Sequence, residues 1–197
     1  MIPKNERLSN ALKEQTDAKA AGILGFNADK LAKRAKSIAL LMLRECDAPK
    51  VVVCGGAGSG KTELTGELSK ALNIPVFDLD KYIQGGWSGN REVYDSALSA
   101  AMYDLWSDLP SSGSGYIVEH VEACNPKMVK FLSPDFAIIL DPGKEHVTRV
   151  ANARNTVRFN EGREGRALSS MLDSKRHFSS VPGSIVMKDA GILVKKL

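Results

Sequence analysis

The chain has 197 residues and a net charge of +4, enough length to bury one α/β core and too little for two of ordinary size. Hydrophobic residues make up 43% and charged residues 25%, and no apolar run approaches the roughly 20 residues of a membrane-spanning helix. A polar amino terminus and only three cysteines (Cys46, Cys54 and Cys124, none in a C-x-x-C pair) argue against a secretory leader, a disulfide framework or a structural zinc site, so a cytoplasmic, single-domain protein with reduced thiols is expected over residues 1–197.

Residues 1–48 read as a helical extension. Leu31, Ala35, Ile38 and Met42 share one face of a helix from about Ala28 to Glu45, which Asp47-Ala48-Pro49 ends. The extension is expected to pack on the domain, with an oligomer contact or a partner site as alternatives. Lys50 to Cys54 is a β-branched run suited to a buried strand, and Lys61 to Leu72 has helical spacing. Between them stands Gly55-Gly56-Ala57-Gly58-Ser59-Gly60-Lys61-Thr62, the phosphate-loop pattern G-x-x-x-x-G-K-[ST] in its strand-to-helix context.

Pro75 to Phe77 forms the next short strand and runs into Asp78-Leu79-Asp80. Asn90 can cap a helix striped by Tyr94, Leu98, Ala101, Met102, Leu105 and Leu109. Tyr116 to Val121 is a third strand carrying Glu119, Asn125-Pro126 opens a short helix, and Phe136 to Leu140 is a fourth strand ending at Asp141-Pro142. A helix is expected from about Gly143 to Arg154, then a glycine-punctuated, arginine-rich lid over 155–166, then a helix over Ala167–His177. Ile185–Met187 and Ile192–Val194 supply the last strands. Strands alternating with helices predict a parallel sheet covered on both faces.

The residue types of the loop explain its chemistry. Glycines let the backbone wrap a polyphosphate, whose charge is met by loop N–H groups and the helix N-terminus. Lys61 is expected to reach the β and γ phosphates and Thr62 to complete a magnesium shell. Ligands in such sheets lie beyond the carboxyl ends of the strands, where Asp78, Asp80 and Glu119 also fall. Phosphoryl transfer needs an acid that holds metal and an acid that receives the acceptor proton, and spacing of two along a strand puts Asp78 and Asp80 on one face. Asp141, before proline, is read as turn chemistry, and His120, His146 and His177 as structural or surface residues.

From Arg149 to Arg176 seven cations face three acids, so an anion is expected to approach. Arg154, Arg158 and Arg163 are the candidates to stabilise the transition state from the lid, and Arg149 to assist nucleotide binding.

Gly55 through Ile83 resembles the shikimate-kinase-like pattern of P-loop kinases, a phosphate loop followed after one helix by a strand and D-x-D. Ile117-Val118-Glu119 is similar to the third-strand acid of uridine-kinase-like members, and Asp135 to Arg154 to their fourth strand and the helix into the lid. Helices ahead of the loop also resemble zeta-toxin-like kinases, and phage kinases of 5-hydroxymethyluracil in DNA are a further relative. The resemblance implies a three-layer P-loop NTPase fold with five parallel strands in the order 2-3-1-4-5, and ATP-dependent γ-phosphoryl transfer with magnesium. It implies Asp78 and Glu119 with Thr62 at the metal, and Asp80 at the acceptor hydroxyl. Ile117-Val118-Glu119-His120 replaces the glycines of a true shikimate kinase, which argues against shikimate itself. A nucleoside or nucleotide hydroxyl, free or within DNA, is the first acceptor expected; a small metabolite or nucleotide sugar is the alternative. A P-loop ATPase acting on a protein partner is the alternative from another class, weakened by the lack of Asp-Glu after the fourth strand.

Overall fold

The computed structural model describes residues 28–83, 90–111, 113–146, 148, 150, 163–189 and 191–197. Residues 1–27 of the amino-terminal extension, residues 155–162 of the expected lid, and Arg149, Arg154 and Arg158 lie outside the described residues. Chain order is α1 (Ala28–Leu43), β1 (Lys50–Gly55), α2 (Lys61–Leu72), β2 (Val76–Asp78), a 3-10 turn (Leu79–Lys81), α3 (Arg91–Asp108), β3 (Tyr116–Glu119), α4 (Pro126–Leu132), β4 (Phe136–Leu140), α5 (Arg163–Ser180), β5 (Ser184–Asp189) and β6 (Ile192–Lys196). Among the described residues no helix is long and apolar enough to cross a membrane.

β1 lies at the centre of the sheet because its residues are apolar on both faces. Val51 and Val53 point into one core with α1 and α2, through Leu31, Ile38, Met42, Leu64 and Leu68. Val52 and Cys54 point into the other, with Leu98 and Leu105 of α3, Met128 and Leu132 of α4 and Phe178 of α5. The period of two along the strand therefore builds an α/β fold with helices on both sides. α1 packs on α2 as expected of its apolar stripe.

The expected caps form. Asn90 accepts from the N–H groups of Glu92 and Val93, and Asn125 accepts from Lys127 with proline at the first helical position. Asn73 ends α2 in the left-handed conformation at φ 54°.

The sheet departs from expectation at one edge. It has six strands in the order β2-β3-β1-β4-β6-β5, so the first four positions agree and a sixth strand enters between the fourth and fifth. β2, β3, β1 and β4 pair in parallel, whereas β6 runs antiparallel to both β4 and β5. The cause is the link from Asp189 to Ile192, which is too short for a crossover and folds as a hairpin. Gly191 in that link takes φ +84°, and a Cβ there would lie 2.7 Å from the Asp141 carbonyl oxygen.

α5 extends beyond the expected Ala167–His177 at both ends, so Arg163–Arg166, expected in the lid, instead open this helix, where Arg163, Glu164 and Arg166 are good helix formers without an apolar stripe to mark them. Its carboxyl end is finished from another element. Lys195 of β6, 8% exposed, donates from Nζ to the carbonyls of Phe178 at 2.7 Å and Val181 at 2.8 Å. Lys195→Met is expected to leave both acceptors unpaired and to cost about 1–3 kcal/mol, read as a lowered urea midpoint.

Candidate active site

The phosphate loop joins β1 to α2 at the carboxyl edge of the sheet. Gly55 sits at φ +150°, where a Cβ would come within 2.8 Å of the Leu140 carbonyl oxygen. A Cβ on Gly56 would lie 2.9 Å from Cβ of Met171 and 3.0 Å from its backbone nitrogen, so α5 rests directly on the loop. Both positions exclude a side chain through packing against Leu140 and Met171, a reason separate from the approach to phosphate for which the pattern selects glycine. Lys61 folds back across the loop, its Nζ donating to the Gly55 carbonyl at 3.0 Å and the Gly56 carbonyl at 3.3 Å.

The loop is coupled to the tip of β3. Glu119 is 3% exposed and accepts from the Thr62 hydroxyl at 3.0 Å through Oε1 and from the Thr65 hydroxyl at 2.7 Å through Oε2. Asp78 is its register partner on β2 and adds negative charge nearby. Burial pushes the Glu119 carboxyl above the ordinary 4.5, the two threonine bonds oppose that rise, and the Asp78 charge adds to it. A carboxyl that holds its proton more tightly folded than unfolded loses stabilising effect as pH rises from the ordinary 4.5 through its raised value. Glu119→Gln can still bond both threonines. Its stability is expected to match the parent's at about pH 4 and exceed it at about pH 8, read by urea melts across that range.

Asp78 and Asp80 are not two positions of one strand, as their spacing suggested. β2 stops at Asp78, whose Oδ1 accepts the Asp80 N–H at 3.1 Å and caps the 3-10 turn. That turn redirects Asp80 toward the end of β3, where its Oδ1 meets His120 Nε2 at 3.1 Å. The His120 bond holds the Asp80 carboxyl below its ordinary value, against the desolvation imposed by neighbouring protein around an otherwise exposed side chain, and with help from the charge of Lys61. Asp80 therefore stays ionised. Lys61 also acts on Glu119, so one ammonium faces both carboxylates.

His120, read as a structural or surface residue, is the structural case, and its contacts reach further than the sequence indicates. It is buried, its Nδ1 accepts the Glu122 N–H at 3.1 Å, and the Tyr94 hydroxyl lies 3.3 Å from Nε2. Beside it, buried Glu122 accepts from Arg91 at 2.9 Å and from Asn125 at 3.0 Å, with His177 Nδ1 at 3.6 Å. Arg91 is further held by Asp95 at 2.8 Å and stands over the Tyr94 ring. Asp141, read as turn chemistry, instead pairs through Oδ2 with Lys175 of α5 at 2.8 Å. Of the four arginine candidates, Arg149, Arg154 and Arg158 are outside the described residues, and Arg163 is described only as the backbone start of α5.

The structure thus brings together Lys61, Thr62, Asp78, Asp80 and Glu119, one polar edge with the glycine loop on one side and the Asp80 carboxylate on the other. No protein-family model matches the chain. The chain is 30% identical over 89 residues to a shikimate kinase from Chlamydia pneumoniae, a stretch that makes up 45% of this chain and 43% of the relative. The similarity supports a P-loop kinase family. It does not single out a member, since the matched stretch spans less than half of the relative.

Proposed function

We propose that the chain is an ATP-dependent phosphotransferase that moves the γ-phosphoryl group to a hydroxyl of a small metabolite. The observation that carries this reading is the position of Asp80: an ionised carboxylate, 73% exposed, next to the phosphate loop and under the influence of Lys61. The loop N–H groups and Lys61 bind the β and γ phosphates. Asp80 takes the proton of the acceptor hydroxyl as that oxygen bonds to phosphorus and the bond to the ADP leaving group breaks.

The donor set fits magnesium, since the Thr62 hydroxyl and the Glu119 and Asp78 carboxylates are hard oxygen ligands on one edge. Among the described residues no three His, Cys, Asp or Glu side chains are grouped to hold a metal alone. Thr62, Glu119 and Asp78 would supply the protein's share of the ligands to magnesium, which when bound would neutralise phosphate charge during transfer. In this reading Arg154, Arg158 and Arg163 add charge to the transition state and Arg149 to the nucleotide.

The relative is named for a small-molecule acceptor, which favours a metabolite over the nucleoside or DNA acceptor expected first. A screen with γ-labelled ATP and magnesium against hydroxylated acids including shikimate, sugars, nucleosides, nucleotides and hydroxymethylated DNA tests the choice. Label on a small acid or sugar is the expected result. Label confined to nucleotides or DNA would overturn the metabolite reading, and phosphate release stimulated only by a protein would overturn the kinase.

A further inference from the structure

We infer that His120 is a positioning residue for Asp80, fixing one carboxylate oxygen so that the other meets the acceptor; this rests on Asp80 being the acceptor base. The imidazole is 1% exposed, yet it bonds a carboxylate that is 73% exposed. An exposed aspartate on a short turn has several staggered rotamers open to it, and restricting them before the acceptor arrives lowers the barrier to transfer.

The ring can restrict them because its other nitrogen is already fixed. Nδ1 accepts the Glu122 N–H at 3.1 Å, which assigns the ring proton to Nε2, the atom 3.1 Å from Asp80 Oδ1. Tyr94 presses its hydroxyl to within 3.3 Å of the same nitrogen, and Glu122 is itself clamped by Arg91 and Asn125. A histidine that merely tied the turn after β3 would need only the Nδ1 bond. The Nε2 bond instead crosses to a separate element, the 3-10 turn after β2.

Two substitutions separate these roles. Asparagine places its amide oxygen where Nδ1 lies, keeping the bond from Glu122 N–H but falling short of Asp80; glutamine places its amide nitrogen where Nε2 lies, keeping the donor to Asp80 but losing the turn bond. In the full chain with magnesium and ATP, phosphate release to water is measured beside thermal melting. His120→Asn is expected to melt near the parent and to lose about 10- to 100-fold in kcat with KM for ATP unchanged. His120→Gln is expected to melt lower and keep most of the rate. Rates that follow melting temperature instead would overturn the inference.

Imidazole nitrogen NMR gives a readout free of turnover. The His120 Nε2 signal is expected to be protonated and to move in Asp80→Asn. An unprotonated or unmoved signal would overturn the inference. If Asp80→Asn releases phosphate at the parental rate, the assignment of Asp80 falls and takes the inference with it; if Asp80→Asn is slow and His120→Asn is not, the inference alone falls.

Discussion

Asp80→Asn is expected to bind ATP as the parent does and to transfer phosphoryl about a hundredfold to ten-thousandfold more slowly. The asparagine keeps the shape of the side chain and can still accept from His120 Nε2, so the turn and its contact persist. What it lacks is an oxygen basic enough to receive the acceptor proton. In the proposed reading nucleotide binding draws on other residues, the loop backbone and Lys61, whose charge also acts on Asp80. Single-turnover transfer beside equilibrium binding of a fluorescent ATP analogue separates the two steps. Near-parental transfer by this variant would remove Asp80 from the mechanism.

Lys61→Met is expected to lower kcat by about a thousandfold and to weaken ATP binding as well. Methionine matches the length of the lysine stem and leaves packing nearly intact, so the loss is one of charge. In the structure the ammonium holds two loop carbonyls, from Gly55 and Gly56, at 3.0 Å and 3.3 Å. Arriving phosphates compete with those carbonyls for the same three donor hydrogens. Thermal melting should therefore change little in Lys61→Met without nucleotide, while the rise in melting temperature that ATP produces in the parent should largely vanish. A full ATP-induced shift in the variant would show that the lysine does not contact the phosphates.

The parts of the site most legible in the sequence are those whose chemistry is local. Gly55, Gly58 and Gly60 take positive φ values that favour glycine, and Asn90 and Asn125 cap helices from the residue they occupy. The central strand was legible too, because Val51 to Val53 are apolar on both faces and only a position inside the sheet buries both. Contacts between distant elements left weaker traces. His120 looked isolated, since nothing in its neighbours shows that a turn at Leu79–Lys81 swings Asp80 onto it. Asp78 and Asp80 carried the spacing of a strand, but the strand stops at the first of them. Glu122 and Arg91 are 31 residues apart, and their pairing follows from where α3 begins beside the end of β3. The antiparallel β6 could have been anticipated from the brevity of the link between Asp189 and Ile192, a signal that the resemblance to five-stranded kinases outweighed.

One peptide unit, between Glu119 and His120, carries the handles of both halves of the site. The first residue grips Thr62 and Thr65 at the start of α2, and the second grips Asp80 in the 3-10 turn after β2. In the proposed reaction, donor and acceptor would thus be registered to each other by backbone that is itself hydrogen-bonded to β1, through His120 N–H and the Val53 carbonyl. Drift of this peptide would move both grips at once, so a shift that repositions Asp80 through His120 would also disturb the contacts of Glu119 with Thr62 and Thr65. In the proposed kinase this one peptide is the common fixed point from which the loop threonines and the Asp80 carboxylate are both placed.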